Sequence, residues 1–113
     1  MSNLQQGLAA FETADYPKAL KLLKPLAQQG DAEAQCLIGN MHHLGLGAER
    51  NIAEAIKWYT KSADQGYAIA SNNLAGIYAT GDNGVEKEPE LAQKLYHQAR
   101  EQGFLHVVEL RPA

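Results

Sequence analysis

Three glycines set the register of this chain. Gly30, Gly66 and Gly103 fall 36 and 37 residues apart, and the residues before them match at the same offsets. Ala19, Ala55 and Ala92 share one column. Leu22, Trp58 and Leu95 share a second, and Leu23, Tyr59 and Tyr96 a third. Further upstream, Ala32 and Ala34 match Ala68 and Ala70, Ile38 and Gly39 match Leu74 and Ala75, and His42 matches Tyr78. The extra residue of the last unit falls between Thr80 and Val85, in a loop, where insertions are best tolerated. Such a register marks a stacked repeat, because one helical hairpin cannot bury its apolar face alone. Small residues in the Ala and Gly columns let two backbones approach closely. The structural core is therefore assigned to Ala19, Leu23, Ala55, Trp58, Tyr59, Tyr78, Ala92 and Tyr96, with the large aromatics filling the space between neighbouring hairpins.

Local signals place the helices. Residues 3–13 carry Leu4, Leu8 and Phe11 at helical spacing, behind a capping box of Ser2 and Gln5. Asp15 then caps a second helix, tolerates Pro17 in its first turn, and ends at Gly30. Pro25 lies inside this stripe, where it must kink the helix or leave the Lys21 carbonyl without its backbone partner. Asp31 caps a third helix from Ala32 to about Leu44, closed by Gly45-Leu46-Gly47. Asn51 and Glu54 form a second capping box before a helix over 52–65. A fifth helix runs over 68–80 and stops at the turn Gly81-Asp82-Asn83-Gly84. Pro89 opens a sixth that reaches Gln102. The reading is a single all-α domain over 1–113, an α-solenoid of about three stacked antiparallel helix hairpins. The units cover about 3–30, 31–66 and 67–103, and 104–113 form a short C-terminal cap or tail. In that tail Leu105 and Val107 replace the Ala32 and Ala34 columns, so the repeat does not continue. Either Phe104, Leu105 and Val108 cap the last hairpin or they offer an apolar end to another chain.

Composition excludes several function classes. A net charge of −3 gives no electrostatic footprint for nucleic acid or an anionic membrane surface. No apolar run approaches the roughly 20 residues that span a bilayer. The single Cys36 cannot form an internal disulfide. The first residues lack a basic and an apolar segment of the secretory type, which makes the cytoplasm the expected location unless a leader was removed. His42 and His43 are adjacent and so point to different helix faces, His42 to the aromatic core slot and His43 outward. No clustered metal-ligand spacing exists, and neither metal nor cofactor is expected. No nucleophile, base and orienting group can be assembled, so the chain is not expected to be an enzyme.

The same residues carry a family resemblance. Ala32-Glu-Ala34, Ile38-Gly39, Gly45-Leu-Gly47, Ala55-Ile-Lys-Trp58-Tyr59 and Ala63-Asp-Gln-Gly66 together resemble a Sel1-like repeat, a relative of the tetratricopeptide repeat. Ala68-Ile-Ala70, Leu74-Ala75, Tyr78, Gly81, Gly84-Val85, Ala92, Tyr96, Ala99 and Gly103 resemble a second copy. Gly7, Phe11, Asp15-Tyr16, Ala19-Leu20 and Gly30 are closer to a tetratricopeptide unit or a degenerate Sel1-like one. Departures are His42 where Tyr is usual, Asn51 and Glu88 for Asp, and Ala75 for Gly. The resemblance implies a right-handed α-solenoid working by protein–protein contact, as an adaptor or assembly factor. Family members occur in bacterial export, signalling and host-interaction settings.

In that architecture the first helix of each hairpin lines the concave face. The register then assigns partner contact to Leu4, Leu8 and Glu12 from unit one, and to Glu33, Cys36, Asn40 and His43 from unit two. Unit three supplies Ile69, Asn72, Asn73 and Gly76, with Gly76 as a shallow floor for close backbone approach. Asn40 and Asn73 match asparagines with which some tetratricopeptide domains grip a C-terminal carboxylate. Cys36, however, occupies one of the supporting Lys positions, which weakens that use. The expected function is an adaptor that binds a protein segment or peptide in this groove. The alternative is a small inhibitor or immunity-type protein that blocks one partner enzyme by surface complementarity.

Overall fold

Five of the six helices among the described residues begin where a side chain or a proline relieves the unpaired N–H groups of a first turn; the fifth, behind Tyr67, has no such cap. In the computed structural model, which describes residues 1–104, the helices are α1 (Asn3–Glu12), α2 (Tyr16–Gln28), α3 (Ala32–Leu44), α4 (Ile52–Asp64), α5 (Ala68–Thr80) and α6 (Pro89–Glu101). Ser2 and Gln5 form the full capping box at α1. Asp15 and Asp31 accept from the N–H groups of Lys18 and Ala34. At α4 only half of the expected box forms: Asn51 accepts from the Glu54 N–H, while a Glu54 oxygen lies 4.0 Å from Lys57 Nζ. Helix α2 runs through Pro25 to Gln28. Helices α1, α4 and α6 each stop one residue short of the expected end, because Thr13, Gln65 and Gln102 act as C-caps whose N–H groups return to the last turn. No strand occurs among the described residues, only a bridge between Asp82 and Val85 around the Asn83-Gly84 turn. Of the expected C-terminal cap or tail over 104–113, residues 105–113 lie outside the described residues.

Each helix packs chiefly on its neighbours in sequence, as a solenoid requires. Two apolar clusters result. The first joins Ala10, Ala19, Leu23, Ala27, Ala34, Ile38 and Met41 with Trp58. The second joins Cys36, Ala55, Tyr59, Ala63, Ala70, Leu74 and Ile77. Adjacent residues of α4 thus serve opposite sides: Trp58 seals the first hairpin to the second, and Tyr59 seals the second to the third. Ala19, Leu23, Ala55 and Ala92 are completely buried. Tyr78 is half-buried against the second cluster.

Polar clamps tie the hairpins together as well. The carbonyl of Ala27, at the end of α2, accepts from Gln35 Nε2 at 3.1 Å. One unit later, the matching carbonyl of Ala63 accepts from Gln102 Nε2 at 3.2 Å. Each clamping glutamine is itself held, Gln35 by Gln65 and Gln102 by Ser71. Ser62 Oγ donates to the Ala32 carbonyl at 2.6 Å and closes the second hairpin on itself. These bonds occupy carbonyls and hydroxyls that burial would otherwise leave costly.

The tightest contacts involve glycine. A Cβ on Gly7 would lie 2.6 Å from Leu23 Cδ2, and one on Gly39 would lie 2.7 Å from the Tyr59 ring. By contrast, a Cβ on Gly76 meets only the Tyr96 hydroxyl, at 3.9 Å. Gly39→Ala and Gly76→Ala gain the same helix propensity, so their difference isolates packing. Urea unfolding is expected to place Gly39→Ala about 1–3 kcal/mol below Gly76→Ala. Trp58→Ala, which opens a cavity between the first two hairpins, is expected to cost about 3–5 kcal/mol in the same assay. Equal stability of the two alanine variants would show that Tyr59 does not depend on the gap above Gly39.

Candidate functional site

Helices α3 and α5, the first helices of units two and three, border a pocket of about 360 Å³. Asn40 and His43 line it from α3, and Asn72, Asn73 and Gly76 from α5. Tyr59 and Tyr96 reach it from the second helices, and Asp82 from the α5–α6 loop. A connected set of hydrogen bonds fixes its floor. Tyr59 Oη donates to Asn40 Oδ1 at 2.6 Å, and Asn73 Nδ2 donates to the same oxygen at 3.1 Å. His43 Nδ1 lies 3.2 Å from Tyr59 Oη. Because the tyrosine proton is committed to Asn40, the imidazole must donate through Nδ1, which leaves Nε2 as an acceptor. The His43 and Tyr59 rings meet edge to face, 5.9 Å between centroids. At the rim, Arg50 Nη2 and Asp82 Oδ2 pair at 2.6 Å, joining the α3–α4 loop to the α5–α6 loop.

Burial shapes the protonation of this set. It pushes the Cys36 thiol up to about 12, with the Glu33 charge adding to the effect and the Asn73 contact opposing it. Burial likewise raises the Tyr59 phenol, so the hydroxyl keeps its proton. It lowers the His43 imidazole, against the pull of the Asp82 carboxylate and with help from the Arg50 charge. The hydrogen bond from Arg50, and then that from the Asn83 N–H, holds Asp82 below the usual carboxylate range. The floor of the pocket is thus neutral and carries fixed donors and acceptors.

Of the residues expected on the concave face, the structure brings together Asn40, His43, Asn72, Asn73 and Gly76. Cys36 is a correction. It is 2% exposed and belongs to the second apolar cluster, because it faces Tyr59 and Leu74 rather than the groove. Leu4 packs on the first cluster, Leu8 is half-buried, and Glu12 is exposed at the end of α1; none of the three lines the pocket. Glu33 is half-buried and accepts from the Tyr67 hydroxyl at 3.4 Å. Ile69 is exposed but sits beside Tyr67 and Phe104, at the far end of the third hairpin. His42 is half-buried, with Nδ1 enclosed and unpartnered among the described residues.

Tyr96 is a second correction. It shares the column of Tyr59, yet it is half-buried and lines the pocket. Its hairpin has Gly76 and Ala79 in the columns of Asn40 and His43, so its hydroxyl lacks both partners that Tyr59 uses. The Arg50–Asp82 pair escaped sequence reasoning because both residues sit in loops that read as turns. No periodic signal marks them, since Arg50 directly precedes the Asn51 cap of α4 while Asp82 directly follows the Gly81 cap of α5.

His43 generates a pH test. Its folded-state pKa lies below the ordinary 6.5, so unfolding takes up a proton when the solution is acidified past that value. Its contribution to stability is intact above about pH 6.5 and is lost as pH falls toward the folded pKa. Between about pH 8 and pH 5, the melting temperature of wild type is expected to fall further than that of His43→Gln. Equal falls would show that His43 does not titrate on unfolding.

Comparison with known proteins agrees with the helical-repeat fold. The Sel1 repeat matches residues 3–31, 32–67 and 68–104. The chain is 39% identical over 85 residues to Protein sel-1 homolog 2 of Mus musculus, covering 74% of this chain and 12% of that protein. It is 36% identical over 94 residues to Chitin synthase regulatory factor 3 of Schizosaccharomyces pombe, covering 81% of this chain and 10% of that protein. The crystal structure of a Sel1 repeat protein from Oxalobacter formigenes superposes with a TM-score of 0.83 at 36% identity, over 92% of this chain and 41% of that one. The chain therefore spans less than half the length of each of these relatives. Proteins of this repeat are generally scaffolds or regulators that act through protein contact. With three successive matches that together take in nearly its whole length, the chain belongs to the Sel1 repeat family.

Proposed function

We propose that the chain is a binding module that captures a segment of another protein in the groove between α3 and α5. The observation that carries this reading is the pocket floor itself. Asn40, Asn73, Tyr59 and His43 are locked in one hydrogen-bonded arrangement before any partner arrives, which lowers the ordering cost of binding. Gly76 supports the same reading by leaving the adjacent wall of α5 low enough for a main chain to approach. A catalytic role has no comparable support. The buried thiol of Cys36 and phenol of Tyr59 are both held protonated, the opposite of what an activated nucleophile needs. The regulatory role in the name of the fission yeast relative is compatible with a module that acts by contact.

The groove residues suited to a test are those outside the buried network. Replacing Asn40 by a bulky apolar residue would take the acceptor from the Tyr59 hydroxyl, and replacing Asn73 would remove a donor from Asn40, so either change confounds binding with stability. Gly76→Leu fills the groove without touching the network. Affinity capture from the native source, followed by identification of retained proteins, is expected to yield partners with wild type that Gly76→Leu loses. Its melting temperature should stay within a few degrees of wild type. Retention of the same partners by Gly76→Leu would remove the groove from the binding surface.

A further inference from the structure

The hydrogen-bond accounts of Asn40 and Asn73 say what the groove can recognise. An asparagine offers two lone pairs on Oδ1 and two N–H donors on Nδ2. Both lone pairs of Asn40 Oδ1 are taken, by Tyr59 Oη at 2.6 Å and by Asn73 Nδ2 at 3.1 Å. Its two N–H donors remain. Asn73 is the mirror case: Nδ2 serves Asn40 and leans toward Cys36 Sγ at 3.9 Å, so Oδ1 keeps both lone pairs. Neither free group is sealed away, since His42 Nδ1 is the one enclosed and unpartnered side-chain polar atom among the described residues. The groove therefore presents a donor on α3 beside an acceptor on α5, with the free Nε2 lone pair of His43 as a further acceptor.

We propose that this pair reads the main chain of an internal, extended peptide segment, with Asn40 donating to a peptide carbonyl and Asn73 accepting from a peptide N–H. The proposal rests on the groove reading above and narrows it. A peptide bond carries one donor and one acceptor, and so complements the pair. A C-terminal carboxylate does not, because it accepts only: it satisfies Asn40 but confronts Asn73 Oδ1, His43 Nε2 and the Asp82 carboxylate. No lysine or arginine lines the pocket among the described residues, and the nearby Arg50 is already engaged by Asp82. Gly76 gives the segment its clearance, since a Cβ there would meet only Tyr96 Oη. The Tyr96 hydroxyl, without a partner among the described residues, supplies an adaptable edge.

Two displayed libraries of random peptides test this, one held at both ends by its carrier and one ending in a free carboxylate. Binders are expected from the first library. As synthetic peptides acetylated and amidated at their ends, they should keep their affinity. Methylating one main-chain nitrogen in the contacted stretch should weaken binding roughly tenfold. Asn40→Asp keeps the oxygen that Tyr59 and Asn73 use but removes the outward donor, and should abolish binding while circular dichroism stays unchanged. If Asn40→Asp fails to fold, the N-methyl series decides the matter alone. Binders confined to the free-carboxylate library, or indifferent to N-methylation, would overturn the main-chain reading while leaving groove capture standing. Binders that Gly76→Leu retains, or none from either library, would bring down both.

Discussion

The contact between Tyr59 and Gly39 organises the central part of this molecule. The ring occupies space that any side chain on residue 39 would fill. That allows the tyrosine to lie 1% exposed between the second and third hairpins, in contact with the apolar residues of α5. Burying the ring at this depth brings its hydroxyl to Asn40 on one side and His43 on the other. One missing methyl group therefore sets both the spacing of two helices and the polarity of the groove beside them. The phenol must find partners there, since an unmatched buried hydroxyl costs on the order of 1–3 kcal/mol.

The hairpins are held together by two kinds of force that act at different places. Apolar burial dominates along the helix faces, where Trp58 and Tyr59 divide their work between the two clusters. At the helix ends, where the Ala27 and Ala63 carbonyls accept only from the closing turn, glutamines from the next hairpin add a second donor. Apolar contact is tolerant of sliding, but a side-chain amide aimed at one carbonyl is not. The clamps on Ala27 and Ala63 thus fix the offset from one hairpin to the next, which aromatic packing alone would leave loose.

Much of this was legible in the sequence because repetition multiplies weak signals. A single alanine at 55 says little. The column Ala19, Ala55 and Ala92 marks a contact that must be small, and all three are fully buried. The helix starts were legible through Ser2, Asp15, Asp31 and Asn51, whose side chains compete for local N–H groups. Legibility failed where two columns trade roles. Cys36 lies one turn before Asn40 on the same helix, yet it turns into the Tyr59 cluster, and periodicity cannot resolve an angle that small. The Arg50–Asp82 pair depends on two loops approaching in space, which no local pattern encodes.

The three hairpins also explain why the groove lies where it does. In the columns of Gly39, Asn40, His43 and Tyr59, the first hairpin carries Gly7, Leu8, Phe11 and Leu23. It keeps the close glycine contact, with Leu23 replacing the tyrosine, and substitutes apolar groups for every member of the polar network. The third hairpin keeps the tyrosine as Tyr96 but has Gly76 and Ala79 opposite, so its hydroxyl goes unclaimed. The second hairpin alone combines the buried tyrosine with its acceptor and its imidazole. The same steric slot is thus filled three ways, as pure packing, as packing with a fixed polar network, and as packing with a free polar edge. Recognition chemistry falls to the junction of the last two. There a rigid wall on α3 faces an open one on α5.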